Sequence, residues 1–164
     1  MKILLINGPN LNMLGTREPE KYGNTTLADI ENNLKNIASS YDVVLDCFQS
    51  NFEGNIIDKI QSAMGVYDGI IINAGGLTHT SVSIRDAISA VSIPTVEVHM
   101  TNIHAREEFR HTSMISGVSV GQVIGFGADS YKFALEGLIS ILNKGNNPNN
   151  NKKSESTENE TVVH

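Results

Sequence analysis

The sequence predicts a doubly wound α/β domain in which a five-stranded parallel sheet lies between two layers of helices. Three observations predict it. Short, nearly continuous apolar runs recur along the chain, as expected of parallel strands covered on both faces. Between them lie longer segments with apolar residues at helical spacing. The polar, glycine-containing stretches fall directly after the apolar runs, where the ligand loops of such sheets lie.

The first strand is expected at Ile3–Asn7, and Val43–Phe48, Gly69–Asn73, Thr95–Val98 and Gln122–Phe126 supply the others. Leu27, Ile30, Leu34 and Ile37 form one helical stripe, with Thr26 as its N-cap. Ile56, Ile57, Ile60 and Met64 form a second stripe, and Val82, Ile84, Ala87, Ile88 and Val91 a third. A last helix is expected from Asp129 to Asn143, with Leu135, Leu138, Ile139 and Leu142 inward and Gly145 as its stop. Strands and helices in this alternation favour a flavodoxin-like strand order.

The chain has 164 residues, 40% hydrophobic and 18% charged, which suits one globular domain. That domain is expected over residues 1–144. Residues 145–164 read GNNPNNNKKSESTENETVVH, polar and without periodicity, and are expected to form a disordered tail. No apolar run approaches the roughly 20 residues needed to span a bilayer, and the N-terminus reads as a strand rather than a secretory segment. Cys47 is the single cysteine, so no disulfide can form within the chain, and a cytoplasmic setting fits. Its apolar neighbours make it a structural thiol rather than a nucleophile. A net charge of −6 and 5% aromatic residues speak against a nucleic-acid partner.

The loops carry the chemistry. After the first strand comes GPNLNMLGTREPEKYG, in which Arg17 and Tyr22 share a segment with glycines at both ends that could close as a lid; an ordinary surface loop would look the same. It matches neither the P-loop nor the dinucleotide fingerprint. The third strand leads to NAGGLTHTS, where an amide, a histidine, hydroxyls and free backbone N–H groups meet the start of a helix, a natural anion site. The fourth leads to EVHMTNIHAREEFR, with His99 at the strand end and Arg106 and Arg110 beyond. His99 and His104 lack metal-ligand spacing, and no G-x-S-x-G elbow is present. Histidines, arginines, amides and one tyrosine suit proton transfer on a small oxygen-rich anion.

These four loops (GPNLNMLGTREPEKYG, QSNFEGNIID, INAGGLTHTSVSIRDA and EVHMTNIHAREEFR) together resemble the type II 3-dehydroquinate dehydratases, and the likeness runs from residue 1 to about 143. Phe52, Ala74, Met100 and Thr101 depart from the family's usual histidine, proline, aliphatic residue and serine. They bear on pocket shape, not on the reacting groups. The resemblance implies dehydration of 3-dehydroquinate to 3-dehydroshikimate with neither metal nor organic cofactor. It implies Tyr22 as base, Arg17 as the cation beside it, Asn10 steadying an enolate through a water, and His99 as general acid. Asn73, His79, Met100, Thr101 and Arg110 would hold the substrate; Glu53 and Glu97 would either support them or stand as surface or structural carboxylates. Asp86 would reach a neighbouring subunit's site in a dodecamer of trimers. Two rivals stay open: a flavodoxin-like binding module and an inactive scaffold. The missing phosphate loop argues against a flavin carrier, and Asn7-Gly8 stand where a receiver domain would carry an acidic pair.

Overall fold

The computed structural model describes residues 1–16, 20 and 23–146. Arg17, Tyr22 and the chain beyond Asn146 lie outside the described residues. Five strands, β1 Lys2–Asn7, β2 Val44–Gln49, β3 Gly69–Asn73, β4 Thr95–His99 and β5 Gly121–Ile124, form one parallel sheet in the order β2-β1-β3-β4-β5. This is the flavodoxin-like order, with the chain reversing its direction of progress across the sheet between β1 and β3.

Among the described residues, four α-helices cover the two faces: α1 Leu27–Ser40, α2 Glu53–Ser62, α3 Val82–Val91 and α4 Asp129–Gly145. Successive strand residues point to opposite faces, and both faces are buried. Ile3 and Leu5 join Leu34, Leu135 and Leu138 in the core beneath α1 and α4. Leu4 and Ile6 join Ile56, Ile60, Ile84 and Ile88 beneath α2 and α3. None of the four β1 side chains Ile3–Ile6 retains any exposure, each worth about 1.5–3 kcal/mol relative to solvent.

Thr26 caps α1 as expected. Its Oγ1 accepts from the Asp29 N–H at 3.2 Å while Asp29 Oδ2 accepts from the Thr26 N–H at 3.0 Å, a complete capping box. Three expectations needed correction. Met64 leaves the α2 stripe and is exposed, because the helix ends at Ser62 and Gly65, at φ 72°, turns the chain. Val82 also faces solvent, since it starts α3 on the side away from the sheet. Gly145 is the last residue of α4 rather than a stop beyond it. Strand limits moved by one or two residues. His99 completes β4, and Phe126 lies beyond β5, past Gly125 at φ 92°.

Cys47 packs on the core from β2, and burial pushes its thiol up to about 12. Among the described residues no helix is long and apolar enough to cross a membrane.

Candidate active site

The carboxyl ends of β1, β3 and β4 open into one cavity of about 130 Å³, at the point where the strand order reverses. The loops after β1 and β3 press together there. A Cβ on Gly8 would stand 2.5 Å from the Ala74 carbonyl oxygen, so only glycine fits. Asn10 follows in a left-handed backbone conformation at φ 70°, a strained choice for a residue with a side chain. Asn51, in the loop after β2, holds it by accepting the Asn10 N–H at 3.0 Å. The Asn51 oxygen also accepts from Gln49 Nε2 at 3.1 Å. Asn10 thus lines the cavity at a set position.

From β3 comes Asn73, almost fully buried, and after it a short 3-10 turn, Gly75–His79. The His79 ring bonds the Thr112 carbonyl at 2.8 Å through Nδ1. A carbonyl can only accept, so Nδ1 carries the proton and Nε2 keeps its lone pair at neutral pH. Burial lowers the His79 pKa below its ordinary value, outweighing the bond to the Thr112 carbonyl, which raises it, and the Arg110 cation adds to the lowering.

From β4 come Glu97 and His99, two residues apart and therefore on one face of the strand. Glu97 has no exposure at all. Its Oε1 meets His99 Nε2 at 2.8 Å and accepts from Ser113 Oγ at 2.6 Å, while Oε2 accepts from Gln122 Nε2 at 2.8 Å. Three donors around a buried carboxylate make it an acceptor on every side. His99 Nε2 is therefore the protonated nitrogen facing Glu97, and Nδ1 is the ring nitrogen turned away from that carboxylate. The rings of His79 and His99 stack with centroids 6.3 Å apart.

Beyond β4, Met100, Thr101, Arg106 and Arg110 complete the lining. Arg106 Nη1 donates to Thr101 Oγ1 at 3.2 Å, and Arg110 Nε to Glu107 Oε2 at 2.7 Å. The Glu107 carboxyl falls to about 2, through hydrogen bonding to its own backbone N–H and then to Arg110. A chain of net charge −6 has concentrated two guanidinium groups on one small cavity, suited to an anionic ligand.

Asn10, Asn73, His79, His99, Met100, Thr101 and Arg110 therefore share one cavity. Asp86 does not: it is exposed on α3 and absent from the lining. Glu53 is exposed in the first turn of α2. Arg106 is named from sequence only as an arginine beyond β4, without a role, and Asn51, Ser113 and Gln122 are given none. Of these, Arg106 had a signal, four residues before Arg110 in a polar loop. Gln122 acts across strand register, and Asn51 and Ser113 act from loops distant in sequence, neither of which spacing reveals. Among the described residues no group of three or more His, Cys, Asp and Glu is placed to hold a metal ion.

The model of the family described as dehydroquinase class II matches residues 1–139. The chain belongs to the class II dehydroquinase family. It is 58% identical over 144 residues to the 3-dehydroquinate dehydratase of Synechococcus sp. (strain CC9605), covering 88% of this chain and 99% of that one. It is 55% identical over 141 residues to the enzyme of the same name from Endomicrobium trichonymphae, covering 86% and 99%. Among solved structures, the type II dehydroquinase from Butyrivibrio crossotus DSM 2876 superposes with a TM-score of 0.82 at 48% identity, over 87% of this chain and 97% of that one. The class II dehydroquinases thus share with this chain its sheet, its helices and nearly its whole described length.

Proposed function

We infer that this dehydroquinase is a hydro-lyase that converts 3-dehydroquinate to 3-dehydroshikimate and water, the step common to the shikimate route and to quinate breakdown. The observation that carries the reading is the buried Glu97–His99 pair, whose histidine lines the same cavity as Arg106 and Arg110. It joins a proton donor to an anion site, and relatives that span the same length carry the dehydratase name.

In the mechanism we draw, the Tyr22 phenolate takes the hydrogen beside the ketone, and the electron pair moves onto the carbonyl oxygen as an enolate. A free phenol titrates near 10, so Arg17 beside it has to favour the anion. Asn10, held by Asn51, steadies the enolate oxygen through a bound water. The enolate collapses, the β-hydroxyl departs, and protonated His99 gives it a proton from Nδ1 to release water. Glu97 stabilises the imidazolium and fixes the ring. Asn73, His79, Arg110 and the backbone of Met100 and Thr101 hold the carboxylate and hydroxyls.

Asp86 lies on the outer surface of α3, away from its own cavity. That position supports a role in a neighbouring subunit's site, within trimers that assemble into a dodecamer. One cysteine and no possible disulfide within the chain suit a cytoplasmic enzyme.

The test is to mix protein dialysed against chelator with 3-dehydroquinate and follow the ultraviolet band of the conjugated enone. The band is expected from the native chain, and Tyr22→Phe is expected to lower kcat by about 10²–10⁴-fold with fold and assembly kept. Turnover near the native rate in that variant would remove Tyr22 as the base.

A further inference from the structure

Behind the cavity wall three side chains are bonded in series. Asn73 Oδ1 accepts from the Gly75 N–H at 3.2 Å, Asn73 Nδ2 meets the Tyr131 hydroxyl at 2.8 Å, and that hydroxyl meets Asn7 Oδ1 at 2.6 Å. Asn7 and Asn73 are register partners at the ends of β1 and β3, and Tyr131 reaches them from the first turn of α4. Tyr131 and Asn7 have no exposure, and Asn73 has 4%.

The direction of every bond follows from one backbone group. A peptide N–H can only donate, so the Asn73 atom facing Gly75 must be the oxygen. The atom facing Tyr131 is then the amide nitrogen, which has no lone pair to offer. The phenol oxygen must accept, and its single proton has to go to Asn7. Asn7 therefore presents its oxygen, and its own Nδ2 is buried with no hydrogen-bond partner among the described residues. Stability alone would not select a series that orphans a buried N–H. What the series achieves is to fix the amide of Asn73, which lines the cavity, and to leave one of its N–H bonds for a ligand.

We propose that Tyr131 is a positioning residue, which together with the Gly75 N–H locks Asn73 so that it offers the substrate a donor rather than a carbonyl. An amide free to turn over would offer a donor and an acceptor by turns, and an acceptor repels a carboxylate. The inference rests on the reading of Asn73 as a substrate contact.

The experiment is a double-mutant cycle in the full chain, with KM and kcat from the enone assay and folding followed by circular dichroism. Tyr131→Phe keeps the ring and removes the hydroxyl. It is expected to raise KM about 3- to 10-fold, the weight of one hydrogen bond, with kcat within about twofold. In an Asn73→Ala background, itself with raised KM, the same substitution is expected to change KM by less than twofold. Equal KM increases in both backgrounds, or no increase in the folded Tyr131→Phe protein, would overturn the proposal. If Asn73→Ala alone leaves KM unchanged, the substrate-contact reading of Asn73 fails, and with it any role of Tyr131 through Asn73. Should Tyr131→Phe not fold, Asn7→Ala tests the same idea: losing the acceptor frees the phenol proton to turn toward Asn73. KM is then expected to rise by a similar factor, and an unchanged KM counts against the series.

Discussion

The His79 N–H that binds the Thr112 carbonyl decides what that residue can offer a substrate: a lone pair on Nε2 while neutral, a second donor once protonated. Burial holds its pKa below 6.5 in the folded chain, so the unfolded chain takes up the proton first as pH falls. The stability tied to neutral His79 is thus fully present above about 6.5 and is lost as pH drops from there through the folded pKa. A ring-nitrogen NMR titration is expected to place the His79 midpoint below 6.5 with the Nδ1–H tautomer above it. A midpoint at or above 6.5 would mean that a carboxylate, not burial, governs the ring. At this scale the site was legible wherever the residue itself carried the chemistry. Glu97 and His99 stand two apart on a strand, so their pairing could be read from the alternation of side chains. Asn51, Ser113, Gln122 and Tyr131 could not be found that way, because each acts on a partner between 16 and 58 residues distant in sequence.

Helices and strands were legible because burial on one or both faces imposes a period on the sequence. The α1 capping box is the sharpest instance: Thr26 and Asp29 satisfy each other's backbone N–H groups, and both are exposed. Thr26→Ala is expected to lower stability by about 1 kcal/mol, measured as a shift in the denaturant midpoint with the slope unchanged. No change in the midpoint would show that tertiary packing of Ile30, Leu34 and Ala38 alone sets where α1 begins. The single 3-10 turns Ile103–Ala105, Glu108–Arg110 and Ser116–Val118 left no trace in the pattern, since one turn is too short to show a period. The first two of those turns place Arg106 and Arg110 at the cavity, and the third follows Ser113, which bonds Glu97 behind it. Arg85 of α3 pins the segment by donating to the Met114 carbonyl at 2.8 Å. The expected helix stop at Gly145 failed for a related reason: glycine permits a helix to end but does not compel it.

For the whole molecule, the exposed position of Asp86 makes a prediction about mixtures. Tyr22→Phe and Asp86→Asn proteins are each expected to be poorly active. If a site combines Tyr22 of one subunit with Asp86 of another, unfolding and refolding the two together regenerates some sites with both residues. Activity is then expected to exceed the sum of the separate proteins, and simple additivity would assign Asp86 to its own subunit. The strand order has a consequence for how the chain is made. Because the order is β2-β1-β3-β4-β5, every strand after the first pairs with one that precedes it in sequence. A ribosome releases the N-terminus first, so β1, an interior strand of the finished sheet, emerges early and offers an edge on each side. β2 closes one edge and β3 the other, and β4 and β5 then extend the free side in turn. No strand has to wait for a partner not yet synthesised, and the cavity between β1, β3 and β4 can take shape before the last helix leaves the exit tunnel.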